Sequence, residues 1–286
     1  MKGHKDIIDM LLTNGAKVDV KDYSDQTPLH YAAENGHKDI IDMLITNGAK
    51  VDVKDYSDRT PLHYAAENGH RDVVEKLISN GAKVDPRDSR MQTPLHVAAE
   101  NGDDDVVEEL IKRGSDLTAL DVSGKTPLHL AVINVNDKGQ LETVKKLIKK
   151  GANVNSTDRL KRNPFHYAAM NGLKDIVEML ITNGVNLNDK DFNGRTALDL
   201  SIRYGKDDVA EELIKRGSDL NSKNKSQETP LHLAAALGNL KIVQLLVEKG
   251  ASVTATNKFK QTPYEVAAKY GDEEHKKVAA YLKTKP

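Results

Sequence analysis

An all-α repeat solenoid is the fold class this chain predicts, on three observations. A box Thr-Pro-Leu-His stands at 27–30, 60–63, 93–96, 126–129 and 229–232, with altered copies at Asn163–His166, Thr196–Asp199 and Thr262–Glu265. Six of the seven spacings between successive boxes are 33 residues; the other, Thr126 to Asn163, is 37. Between boxes runs an apolar segment of helical period, typically closed by a glycine. A fixed period of roughly 20–50 residues marks stacked units, each too thin to bury its apolar face without a neighbour.

The copy Asp55–Ala82 shows why each piece forms. Thr60 is an N-cap acceptor, and Pro61 sits where a missing N–H costs nothing. Leu62, Ala65 and Ala66 make a small-residue stripe, so a first helix can press closely on its neighbours. Asn68-Gly69-His70 breaks it, and Asp72 opens a second helix with a carboxylate at the positive end of the dipole. Val73, Val74, Leu77 and Ile78 supply that helix's apolar face, and Gly81 ends it as a left-handed cap. The polar stretch from Ala82 to the next Thr reads as a protruding hairpin-like loop.

The Thr-Pro-Leu-His box, the Ala-Ala pair, the Asn-Gly-His turn and the L-I-x-x-G-A-x-V-D run resemble the ankyrin repeat, at the ankyrin period and over nearly the whole chain. The resemblance implies L-shaped repeats of two antiparallel helices with projecting β-hairpin loops, stacked into a curved solenoid that binds proteins. It also brings Asn155, Asn188 and Asn221 into loops where ankyrin-like domains can be hydroxylated on Asn; equivalent positions here are Asp or Thr, which favours a turn role.

One elongated domain is expected. Residues 1–20 form a truncated first repeat, because Gly3 aligns with Gly36 at the turn between helices. Repeats follow at 21–53, 54–86 and 87–119. His4–Gly36 recurs as His37–Gly69 with two differences, Leu12/Ile45 and Gln26/Arg59, so recent duplication and consensus design both stay open. The first layer (Ile7, Ile8, Leu11) should show an uncapped apolar face, expected of a chain cut from a longer array, or one that frays or pairs there. The repeat at 120–156 carries four extra residues near Ile133–Asp137, expected to lengthen the first helix or protrude as a loop. Repeats at 157–189 and 190–222 lose parts of the box, 223–255 restores it, and 256–286 ends in lysines as a terminal cap.

Composition narrows the function. The 286 residues include 30% charged residues, no Trp and three Phe, which suits many thin layers. No 18-residue apolar run occurs, so no membrane insertion is expected, and Met1-Lys2-Gly3-His4 does not start a signal peptide. Without cysteine there is no thiolate chemistry, and a cytoplasmic location is the default. Six histidines (His30, His63, His96, His129, His166, His232) hold one box position. Layers about 8–10 Å apart cannot share an ion between imidazoles, so these, and the turn histidines His4, His37 and His70, are assigned to hydrogen bonding. The acidic runs Asp103–Asp105, Asp207-Asp208 and Glu273-Glu274 start second helices, and Lys112-Arg113, Lys149-Lys150 and Lys215-Arg216 end them, as the helix dipole favours. No catalytic or nucleotide-binding signature occurs; neither an enzyme nor a cofactor is expected.

Recognition is expected where copies differ. Loop-tip candidates are Tyr23, Tyr56, Arg59, Arg90, Lys125, Arg159, Arg162, Phe192, Arg195 and Phe259; Arg203 and Tyr204 stand at the end of a first helix. The segment Lys125–Tyr204 is the favoured cluster, with Arg162 and Arg195 as its test residues. The partner expected is a protein held by loop tips and the concave helix face, the chain itself a monomer or associating through its N-terminal edge. Residues 1–119 carry net −8 and residues 120–286 net +7. The basic half leaves anionic headgroups or nucleic acid as a rival, though its lysines are interleaved with acids; an array without natural ligand is a third reading.

Overall fold

The computed structural model describes residues 5–134 and 138–285. The chain divides into two compact units, residues 1–153 and 154–286. Within each, helix pairs stack as expected of an all-α repeat array.

The first unit holds α1 (Lys5–Thr13), then the pairs α2 (Pro28–Glu34) and α3 (Lys38–Thr46), α4 (Pro61–Glu67) and α5 (Arg71–Ser79), α6 (Pro94–Asn101) and α7 (Asp104–Lys112), and α8 (Pro127–Ile133) and α9 (Lys138–Lys149). The second holds α10 (Pro164–Asn171) and α11 (Lys174–Thr182), α12 (Ala197–Arg203) and α13 (Asp207–Lys215), α14 (Pro230–Ala236) and α15 (Leu240–Glu248), and α16 (Pro263–Ala267) and α17 (Glu273–Lys283). First helices pack on first helices of the next repeat and second on second, as with α2 on α4 and α3 on α5.

Each first helix starts with a reciprocal cap. Thr60 N–H donates to His63 Nδ1 at 3.1 Å, and His63 Nε2 lies 3.1 Å from the carbonyl of Gln92 in the next repeat. Because Nδ1 accepts, the proton sits on Nε2 and donates to that carbonyl. The neutral ring therefore joins two repeats; His30, His96 and His232 reach the following turn the same way, and His166 reaches the carbonyl of Asp189 just ahead of it. The core is thin and continuous: Leu62, Ala65, Ala66, Val73, Val74 and Leu77 are all at or below 1% exposure.

The N-terminal layer departs from this. Leu11 is 51% exposed where its equivalent Leu44 is 2%. Among the described residues of the first unit none stands on α1 as α2 stands on α3, and an open apolar groove of about 630 Å³ lies among Ile7, Leu11, Val20, Tyr31 and Ile40. The four extra residues of the fourth repeat do not lengthen its first helix. α8 keeps seven residues, while α9 has 12 against the nine of α7, because the added residues extend the second helix backwards. Residues 135–137, where a protruding loop was the alternative, lie outside the described residues.

The hairpins also differ from expectation: among the described residues the loops form tight turns without strands. Two backbone bonds close each turn, such as Asp55 N–H to Arg59 O and Asp58 N–H to Asp55 O, both at 3.0 Å. The amides a ladder would pair go to a side chain, because Asp55 Oδ1 accepts from both Ser57 and Arg59 N–H at 2.8 and 2.9 Å.

Candidate interaction surface

The turn tips are rigid, and the reason is repeated in every copy. Asp22, Asp55, Asp88, Asp121, Asp158, Asp191, Asn224 and Asn257 each accept the amides two and four residues on. The residue between those amides takes positive φ: Asp25, Asp58, Met91, Gly124, Lys161, Gly194, Gln227 and Lys260. Six of these eight are not glycine, so the turn overrides a left-handed cost of roughly 1–2 kcal/mol per residue. The other carboxylate oxygen is often used as well: Tyr31, Tyr64 and Tyr167 donate their hydroxyls to Asp22, Asp55 and Asp158. Burial, with the bond to Asp55, pushes the Tyr64 hydroxyl up to about 12. The sequence reading overlooked these Asx positions, although an Asp or Asn recurring five residues before each box residue was the signal.

Tips of adjacent repeats join edge to edge through single backbone bonds. In the first unit these are Tyr56 N–H to Ser24 O, Ser89 N–H to Ser57 O and Val122 N–H to Arg90 O. Tyr23 and Tyr56 are thus neighbours, both projecting into solvent, followed by Arg90 and Met91, which are exposed as well. Lys125 closes the fourth tip half-buried, and its carbonyl receives His96 Nε2 at 3.1 Å.

In the second unit the candidate residues separate into two groups. Arg159, Phe192 and Phe259 stand exposed on the tips. Arg203 and Tyr204 are exposed at the far end of α12, roughly 10 Å along a seven-residue helix from its start. Arg162 and Arg195 do not face solvent as a recognition pair should: their side chains are 15% and 13% exposed. Both converge on Asp191, Arg195 at 2.7 Å and Arg162 at 3.6 Å. Burial pushes the Asp191 carboxyl up, but the bonds and charge of Arg195 outweigh it and hold it below the ordinary value. Arg59 is similarly engaged, stacked 4.5 Å from the Tyr64 ring centroid and bonded to Glu67 Oε2 at 2.7 Å. Long cations with an apolar stem and a buried carboxylate below them fold inward, which composition alone does not reveal.

Elsewhere the charges are structural. Lys146 of α9 reaches Asp104 at 2.7 Å and Glu108 at 2.9 Å on α7, so the acidic run is tied to the next layer as well as to the dipole. Asn188 and Asn221 accept backbone N–H of Asp219 and Ser252 one repeat on, at 2.9 and 2.8 Å, a joining role between layers. No group of three His, Cys, Asp or Glu is placed to hold a metal ion among the described residues, and no described helix is long and apolar enough to cross a membrane.

Among protein-family models, the chain matches the one described as ankyrin repeats (3 copies) over residues 1–88, 84–158, 135–224 and 211–285. Among solved structures it is similar to the crystal structure of the ankyrin repeat domain of Bcl-3, titled a unique member of the IkappaB protein family. That likeness has 28% identity and a TM-score of 0.68, and covers 78% of this chain and 98% of the other. No curated protein sequence matches the chain.

Proposed function

The chain belongs to the ankyrin repeat family, and from that premise we propose that it is a non-catalytic scaffold, cytoplasmic in location, that grips a partner protein with its turn tips and the outer ends of its first helices. The observation that carries the reading is that, in each unit, large side chains on the turn tips are held in solvent outside the core. Tyr23, Tyr56, Phe192 and Phe259 all project from turns whose backbone is fixed by an Asx side chain, buried at Asp55, Asp191 and Asn257 and exposed at Asp22. A pre-ordered aromatic or arginine anchor loses little entropy on binding, and such residues dominate interface energetics. Arg90, Arg159, Arg203 and Tyr204 extend the surface. Arg59, Arg162 and Arg195 support it from beneath by holding the turns.

The test is affinity capture on the immobilised chain with mass spectrometry, comparing wild type with Tyr23→Ala/Tyr56→Ala and Phe192→Ala/Tyr204→Ala. One of the pairs should lose a specific protein at least about fivefold, roughly 1 kcal/mol, with unchanged circular dichroism. Equal capture by all three proteins sinks the reading.

A further inference from the structure

The turn tips of the second unit differ from those of the first in how their cations are compensated. In the first unit Lys21 pairs with Asp25 at 3.2 Å and Lys54 with Asp58 at 3.3 Å, each four residues on. In the second, the same register puts Gly194 after Lys190 and Gln227 after Lys223. Those lysines keep only the carbonyl bond that Lys21, Lys54 and Arg87 also make to the next repeat, Lys190 Nζ to Lys223 O at 3.0 Å and Lys223 Nζ to Thr256 O at 3.1 Å. They are positioned without being neutralised. Arg159 and Lys161 on the tip before, and Lys258 and Lys260 on the tip after, are exposed and pair with no carboxylate among the described residues. The carboxylates nearby are consumed: Asp158 and Asp191 are buried under their turns, Asn224 and Asn257 stand where Asp would be, and Glu228 accepts from Asn224 Nδ2 at 2.9 Å.

The four tips join edge to edge through Phe192 N–H to Leu160 O, Lys225 N–H to Asn193 O and Lys258 N–H to Ser226 O, at 2.7, 2.9 and 3.0 Å. The result is one basic step per repeat along a row of tips, at the roughly 8–10 Å spacing of stacked helices. A polypeptide in the polyproline II conformation has three residues per turn and rises about 3.1 Å per residue, so every third side chain returns to one face after about 9.3 Å. The two spacings match. Resting on the protein-binding reading above, we propose that the tip row of residues 154–286 docks an acidic, extended segment of a partner protein, one bearing a carboxylate at every third residue.

A single-stranded nucleic acid fits less well. Such strands use open aromatic faces as stacking platforms, and here Lys225 Nζ sits 3.7 Å from the Phe192 ring centroid and Lys258 Nζ 5.0 Å from that of Phe259. The lysines cover the faces a base would need.

Fluorescence anisotropy on the full chain tests the proposal with three labelled 12-residue probes. One is four repeats of Glu-Pro-Pro, one has the same composition with its four Glu contiguous, and one is oligo-dT. The periodic peptide should bind about tenfold tighter than the contiguous one, weaken as salt rises, and lose about tenfold with Lys225→Glu/Lys258→Glu at unchanged circular dichroism. Equal binding of the two peptides, binding by neither, or tighter binding of oligo-dT overturns the proposal, the last assigning the row to nucleic acid. The general reading fails separately, only if capture is indifferent to Tyr23→Ala/Tyr56→Ala and Phe192→Ala/Tyr204→Ala.

Discussion

Asp199 occupies the box position that His holds in most repeats, and it is the wrong residue for the place. Its side chain is fully buried, one oxygen accepts from Thr196 N–H at 2.9 Å, and the other, Oδ1, has no partner. Burial pushes its carboxyl from 3.8 up to about 7, against the lowering effect of the Thr196 bonds. Because the folded value is raised, the neutral carboxyl's stability is fully present below 3.8 and is lost as pH rises through 7. A shift of about three units at about 1.4 kcal/mol each amounts to roughly 4 kcal/mol of destabilisation at pH 8, but only about 1 kcal/mol at pH 4.5. Asp199→Asn keeps the shape and the acceptor and removes the ionisation. An unpaired amide costs about 1–3 kcal/mol at either pH. The variant should therefore gain about 3 kcal/mol relative to wild type between pH 4.5 and pH 8, whatever its absolute stability. Urea unfolding followed by circular dichroism at the two pH values measures this, with hydrogen exchange on α12 to show that the effect is local. A difference between the two proteins that does not change with pH refutes the reasoning.

Three further outcomes follow from the same geometry. Leu44→Ala should cost about 2–5 kcal/mol and Leu11→Ala less than about 1; α1 and α3 are nearly identical in sequence, so equal losses in urea unfolding would mean that α1 is covered in solution. Arg162→Glu/Arg195→Glu should unfold the repeat at 190–222 instead of merely weakening a partner. It leaves buried Asp191 against two new charges, at a cost of about 3–5 kcal/mol, so a native-like thermal transition would contradict the ion-pair assignment. Burial pushes His63 down to about 4, the reverse sign to Asp199. Stability from this group is complete above 6.5 and drains away as pH falls toward 4, by up to roughly 3 kcal/mol; His63→Gln should flatten that part of the pH–stability curve, and an unaltered slope would show that another group titrates.

Much was legible without coordinates because it is local or strictly periodic. Helix starts follow from Thr-Pro, which acts within one turn, and helix faces follow from Val73, Val74 and Leu77 at helical spacing. A repeat of 33 residues then implies that each face meets a copy of itself. The exposed layer at Ile7 and Leu11, the bridging histidines and the exposed Tyr23 and Tyr56 all emerge from that logic. Hairpin strands and a lengthened first helix in the fourth repeat did not materialise. An Asx carboxylate can take ladder amides, and an insertion between helices can join either one; neither choice is written in the period.

What the sequence determined by itself was the unit and its core, since capping, amphipathic period and glycine caps are properties of ten or so consecutive residues. Only the tertiary structure decided which cations remain available. Arg162 and Arg195 turn inward because Asp191 lies buried beside them, while Lys190 and Lys223 are held in place by carbonyls one repeat away and keep their charge. Arg162, Lys190 and Lys223 take their direction from partners in the next repeat, which stacking brings within reach, while Arg195 takes its own from Asp191 in the same turn.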